Sequence, residues 1–308
     1  DQQVINLAID TSILWVTVKW RPELKFSFER LKGLFNFGWK LLASALLDTV
    51  YTNIRQLIIG RMYSSVDLAQ YNRGRQFPQL IVSNVNTSID SVLLPAMSNV
   101  QDDKEHVKSM TRRSIKTSTY IMAPLMMGLA FVGVPLTSLV LTDKWLPCVP
   151  YMRVFCITFM FYPIHTANLN AIKAMGRSDL FLKLEIWKKV VGMVVLVSTM
   201  WISVEAMAYS LLVTSVFSQI INASPNKKLL DYGYGQQLKD ILPGIALAVF
   251  MGLCIYPIQF LGLNNIVKLS IQIPLGVIIY LIGSVLFKME SFFYLWNIVK
   301  PIIIRKRG

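Results

Sequence analysis

Apolar residues in this chain are gathered into blocks roughly twenty residues long, the length a helix needs to cross the hydrocarbon core of a bilayer. Nine such blocks can be drawn, over residues 3–20, 40–60, 76–98, 117–141, 149–172, 182–203, 204–224, 240–261 and 266–287. Only short polar segments separate them, so little chain is left for a separate soluble domain. The pattern predicts an all-α polytopic membrane protein of nine transmembrane helices. Composition agrees: 16% of the residues are charged, against about a quarter in an ordinary soluble domain.

Charge orients the blocks. The connections at 19–40, 104–116, 173–189, 227–239 and 288–307 hold six, five, five, three and five Lys or Arg. The intervening ones, near 61–75, 144–153, 203–206 and 262–268, hold three, two, none and one. Rich and poor connections alternate, which places the basic ones and the C-terminus in the cytoplasm and residue 1 on the outer side. The formal net charge of +14 is therefore a topology signal, and nucleic acid is excluded as a partner. Three scattered cysteines and two histidines have no metal-ligand spacing, so no metal, cofactor or disulfide framework is expected. Val4 to Trp20 is already apolar and no basic region precedes it, which is unlike a signal peptide. The chain is expected to be the C-terminal part of a longer protein.

Two segments read as helices lying on the membrane surface. Residues 21–39 alternate Phe26, Phe28, Leu31 and Leu34 with Lys25, Arg30 and Lys32, and residues 289–308 repeat the recipe with Phe292, Phe293, Trp296 and a closing Arg305, Lys306 and Arg307. Prolines inside the blocks, among them Pro78, Pro95, Pro135 and Pro163, mark expected kinks.

Polar residues within the blocks are the candidate site, because an ionisable group in a bilayer faces a cavity or a partner. Ser44, Asp48, Thr52 and Arg55 share one helical face, beside Asn53. Asp48 and Arg55 are separated by about 10 Å along the axis, too far for a tight pair without side-chain reach. Asn84, Asn86 and Asp90 lie on the following block, with Arg73 and Arg75 near its outer end. Two arginines there suit a phosphate and equally suit snorkelling to lipid headgroups. His165 and Asn168 share a face of the fifth block, open to a proton-relay or a packing reading. Ser215, Gln219 and Asn222 are explained as glue between helices. There is no GxxxxGK[ST] and no large outer loop to carry catalytic carboxylates, so the chain is not expected to be an enzyme.

Several blocks together carry a resemblance. FGWKLLASALLDTVYTNIRQLIIGR (37–61), AQYNRGRQFPQLI (69–81), LLPAMSNVQDDKEHVK (93–108), TDKWLPCVPYM (142–152), HTANLNAIKAMGRSDLFLKLEIWKK (165–189) and the run at 222–228 resemble lipopolysaccharide and polysaccharide biosynthesis proteins of the repeat-unit flippase type. These belong to the MOP superfamily, which includes the MATE drug exporters, and are built from fourteen helices in two pseudo-symmetric lobes. The resemblance implies that 1–20 is the last N-lobe helix and 21–39 a cytoplasmic linker. Residues 40–224 would be the six-helix C-lobe, and 225–308 two further helices with a basic tail. It implies alternating-access transport of undecaprenyl-pyrophosphate-linked oligosaccharide to the outer leaflet of the bacterial cytoplasmic membrane, alongside a polysaccharide polymerase and chain-length machinery. Arg55, Arg73 and Arg75 would meet the diphosphate, and Asn53, Asn84, Asn86 and Asn168 the sugars. Two alternatives stand beside it: a cation-coupled exporter in which Asp48 and Asp90 carry the ion, and a membrane enzyme of polysaccharide assembly.

Overall fold

A computed structural model describes residues 2–18, 27–28, 46 and 49–305, and every regular element among them is helical. The expected surface helix over 21–39, save residues 27–28, most of the 40–48 stretch including Asp48, and the terminal Lys306 and Arg307 lie outside the described residues. The chain forms two compact units, Asp1–Thr52 and Asn53–Gly308. The first contains α1 (Gln2–Thr17). The second opens with helical residues 53–62 (α2) and continues through α3 (Ser65–Ser98), α4 (Lys104–Phe131), α5 (Gly133–Leu141), α6 (Val149–Met160) and α7 (Tyr162–Ala174). It closes with α8 (Ser178–Thr199), α9 (Val204–Leu229), α10 (Tyr234–Ile255), α11 (Asn265–Leu286) and α12 (Glu290–Arg305).

Among the described residues four helical spans are long and apolar enough to cross a membrane: Asp143–Ala174, Val204–Leu229, Tyr234–Phe260 and Asn265–Leu286. A fifth is obtained if α4 and α5, which meet at a 69° bend, count as one span. Helices also stand at the third and sixth expected blocks, but α3 is diluted by amides and hydroxyls and α8 by Lys183, Glu185, Lys188 and Lys189. The fifth block is broken at Phe161, where Pro163 in the first turn of α7 starts a new helix. The third begins eleven residues earlier than its apolar stretch. Ser64 caps α3 by accepting from Asp67 N, and the Asp67 carboxylate accepts from the Ser64 amide, so the polar turns before Gln76 are helical too.

Side chains pointing outward from α11, such as Ile273, Val277 and Leu281, are about half exposed, as residues facing lipid should be. The interior is rich in methionine: Met122, Met126, Met152, Met207 and Met251 are all buried. Water drives nothing together in lipid, so close backbone approach and interhelical hydrogen bonds must hold the bundle. At Gly74 the backbone of α3 comes close to the backbone at the start of α6. A Cβ on Gly74 would stand 2.7 Å from the Cys148 carbonyl oxygen and 2.8 Å from the Met152 amide nitrogen. One turn earlier Tyr71 packs edge-on against Tyr151 and Phe155, with ring centroids 5.9 and 5.2 Å away.

Hydrogen bonds tie the remaining helices together. Tyr280 donates to the Tyr120 carbonyl at 2.9 Å, and the Tyr120 and Ser284 hydroxyls are 2.6 Å apart. Arg112 grips Asp240 bidentately at 2.8 Å, and Tyr232 donates to the same carboxylate. Burial, reinforced by that carboxylate, pushes the Tyr232 phenol well above its ordinary range. Gly74→Ala should lower unfolding stability by about 1–3 kcal/mol, because the atoms it meets are backbone. Gly128→Ala, whose Cβ would meet only Met251 Cε at 3.8 Å, should be neutral or stabilising by up to about 1 kcal/mol. Thermal unfolding of the two detergent-purified variants checks the contrast.

Candidate functional site

Helix α3 has two faces. Tyr71, Gly74, Pro78 and Val82, three or four residues apart, are buried against the bundle. The other face carries Asn72, Gln76, Gln79, Ser83, Asn86 and Asp90, spaced four, three, four, three and four, and all are exposed or half-buried. The heptad-like spacing keeps these polar groups in one line. The line runs for about 27 Å, close to the ~30 Å thickness of a hydrocarbon core. A helix that presented it to lipid would put six polar side chains into hydrocarbon, so this face requires water or a polar partner.

At the N-terminal end of the line the polar groups surround a pocket of about 530 Å³. Arg73 and Arg75 line it together with Gln56 of α2, Asn72, Gln76, Gln79 and Ser83 of α3, and Trp145 from the turn before α6. Neighbouring amides orient both guanidinium groups. Arg73 Nη1 donates to Gln76 Oε1 at 2.8 Å, and Arg75 Nε to Gln79 Oε1 at 3.3 Å. Arg73 also lies over the Trp145 indole, 5.0 Å from its centroid. Because the two arginines flank Gly74, the close α3–α6 contact also fixes where they stand. Two planar cations, several amides and an indole form a set suited to phosphate and to sugar hydroxyls.

The other expected site residues go elsewhere. Arg55 is buried and its Nη1 donates to the Met207 carbonyl and, at 2.9 Å, to Ser210 Oγ, so it is bound into α9 and does not line the pocket. Asn53 is half-buried on α2, and Asn84 is exposed, donating to the Leu80 carbonyl on its own helix at 2.7 Å. Asn86 lies on the polar line, its Oδ1 enclosed and without a hydrogen-bond partner among the described residues. Asp90, at the far end, accepts from Asn170 Nδ2 of α7 at 2.8 Å.

His165 and Asn168 serve the packing of α7. His165 Nδ1 is 2.9 Å from Asn222 Nδ2, whose amide donates to an unprotonated ring nitrogen. Asn168 is fully buried; its Oδ1 accepts from Gln237 at 2.9 Å and from Asn226 at 2.6 Å. Its own amide donates to Gln237 Oε1 at 2.8 Å. Three polar residues of one short helix thus bind α9, α10 and α3. Sequence reasoning passed over Gln56, Asn72, Gln76, Gln79, Ser83, Trp145 and Asn170. The four-three polar spacing on α3 is a signal that finds four of the seven, Asn72, Gln76, Gln79 and Ser83, whereas Gln56, Trp145 and Asn170 are joined to them only by tertiary structure.

Comparison with known proteins agrees with the resemblance read from the sequence blocks. Residues 2–150 match the family model described as polysaccharide biosynthesis protein. The teichuronic acid biosynthesis protein TuaB of Bacillus subtilis is 27% identical over 162 residues, which are 53% of this chain and 34% of that protein. The lipopolysaccharide biosynthesis protein WzxC of Escherichia coli is 24% identical over 55% of this chain and 34% of its own length. The succinoglycan biosynthesis transport protein ExoT of Rhizobium meliloti is 20% identical over 65% of the chain and 46% of that protein. The matches thus span about a third to a half of these curated relatives. In fold, the chain is similar to the lipid II flippase MurJ in its inward closed conformation, with a TM-score of 0.74 at 16% identity, over 90% of this chain and 58% of that one.

Architecture and site separate experimentally. Asn168→Leu strands two buried amides and should cost about 1–3 kcal/mol of stability. Arg73→Gln, at the pocket, should stay within about 0.5 kcal/mol. The folded fraction that survives a heating series, read by size exclusion in detergent, compares them.

Proposed function

We propose that this chain forms part of a transporter that passes lipid-linked oligosaccharide across the bacterial cytoplasmic membrane, without enzymatic chemistry, along the polar face of α3. The observation that carries the proposal is the continuous polar line from Asn72 to Asp90 with an arginine pair at one end. Support comes from relatives named for teichuronic acid and lipopolysaccharide biosynthesis and for succinoglycan transport, and from the flippase fold.

In this reading the cargo is a polyprenyl diphosphate bearing an oligosaccharide. Its lipid tail stays in the bilayer, where it loses no apolar contact. The diphosphate, which cannot enter hydrocarbon unpaired, is met by Arg73 and Arg75, whose planar forks match phosphate oxygens two at a time. Sugar hydroxyls exchange water for the amides of Asn72, Gln76, Gln79 and Asn86, and Trp145 offers a flat face to a sugar ring. Access alternates between the two sides. The basic connections and the C-terminus are cytoplasmic, which puts the arginine pocket at the outer end, where the cargo is received before release. Residues 1–20 then end an N-lobe, 40–224 form the C-lobe bundle, and 225–308 add two helices and a tail.

In a strain whose surface polysaccharide depends on this protein, the double variant Arg73→Ala, Arg75→Ala should lower that polysaccharide by roughly tenfold or more at unchanged protein abundance. Normal polysaccharide would refute the role of the pair. Arg55→Ala should instead lower abundance, since it unties α2 from α9. Asp90→Asn should keep export intact, because an amide can still pair with Asn170; loss of export with normal abundance would favour the cation-coupled exporter.

A further inference from the structure

A second cavity lies at the opposite, basic end of the bundle, between α4, α10 and the turn from α11 to α12, with a volume of about 700 Å³. We propose that it holds one anionic glycerophospholipid of the surrounding leaflet as a resident ligand, distinct from the transported lipid. The lining is apolar along α10, where Pro243, Leu247 and Phe250 form a strip that suits an acyl chain. From Lys239 at its basic mouth to Phe250 this strip runs about 16 Å along the helix, a length several methylenes deep.

The mouth is positively charged once its ion pairs are taken into account. Lys116 is paired with Glu290, and Asp240 is held bidentately by Arg112. That leaves Lys239 and Lys288, which have no ion-pair partner among the described residues and are both exposed at the rim. Lipid phosphates are the anions available at this depth, and a basic pocket between transmembrane helices on the cytoplasmic side is the kind of place they bind.

Two further observations point to an occupant. Thr119 is 1% exposed and lines the cavity, and its hydroxyl has no hydrogen-bond partner among the described residues. A buried hydroxyl left unpaired costs stability, and a glycerol ester or phosphate oxygen would satisfy it. Lys288 adopts a left-handed backbone, φ 50°, at the position that ends α11, where glycine is the usual residue. A lysine there is strained, yet it puts a cation at the mouth.

The strain supplies a clean test, because Lys288→Gly removes the charge and relaxes the turn. The full chain, purified in a neutral maltoside, is mixed with equal amounts of dioleoylphosphatidylglycerol and dioleoylphosphatidylcholine, and bound lipid is counted by native mass spectrometry. One phosphatidylglycerol per chain should be retained in preference to phosphatidylcholine by on the order of tenfold. Lys239→Gln with Lys288→Gly should abolish the preference, and Thr119→Val should weaken retention severalfold, both with an unchanged or higher unfolding midpoint in lipid-free detergent. Equal retention of the two lipids by the wild type, or a preference that survives the double change, would overturn the proposal. Adding excess undecaprenyl pyrophosphate separates the two sources of lipid phosphate. Undisturbed phosphatidylglycerol supports a resident lipid, and its displacement would assign the cavity to the cargo instead.

Discussion

The contact at Gly74 is the point on which the geometry of the polar face depends. Because no side chain intervenes, α3 can lie with its backbone against the start of α6, and the residues on either side of that glycine are arginines. Their guanidinium groups are thereby held at a fixed height, beside Trp145 on the turn that leads into α6. Any larger residue would lift α3 and carry the pocket with it. Tyr71 below and Pro78 above complete the same buried stripe, so the polar face is turned outward by what its opposite face must bury.

Polar groups in this bundle fall into two classes by what they touch. Those of α7 are closed off: Asn168, Asn226 and Gln237 form a buried amide cluster, and His165 pairs with Asn222. Interhelical pairing of this kind suits a bilayer, where an amide has no water to turn to, and among the described residues it leaves only the Oδ1 atoms of Asn222 and Asn226 in these pairs without a partner. Those of α3 are open: the amides of Gln76 and Gln79 orient arginines, and the guanidinium edges that remain face a cavity. Position, between helices or facing a cavity, separates what holds the bundle from what can meet a ligand. The lysines around the second cavity belong to the open class, and Thr119 lines that cavity with a hydroxyl that has no hydrogen-bond partner among the described residues.

Much of the architecture was legible because hydrocarbon imposes a length. From the third apolar block onward each expected block has a helix or a broken pair of helices at its place, and the breaks at Val132 and Phe161 lie within three residues of Pro135 and Pro163. The early start of α3 was missed because its first turns are polar, although Ser64 and Asp67 carry a capping signature. Within the candidate site, Arg73 and Arg75 were legible as basic residues just ahead of the third apolar block, although α3 begins eleven residues before that block. Arg55 and Asn168 were legible only as polar residues in apolar blocks. Whether such a group lines a cavity or packs is decided by α9 and α10, more than fifty residues away in the chain, and no local pattern encodes that.

The account turns on cargo passing along the α3 face, and cysteine protection measures that most directly. Of the three cysteines, Cys148 and Cys156 are buried and Cys254 is exposed, so Cys254→Ser provides a background of low reactivity. In that background Asn72→Cys and Asp90→Cys place a thiol at each end of the polar line, and Gly262→Cys places one on the exposed turn between α10 and α11, where a Cβ meets open space. The protein is reconstituted in vesicles with and without undecaprenyl-pyrophosphate-linked oligosaccharide, and the rate of reaction with a water-soluble maleimide is followed. The account predicts that cargo slows labelling at 72 and 90 and leaves 262 unchanged. Equal rates with and without cargo at both α3 positions would contradict it.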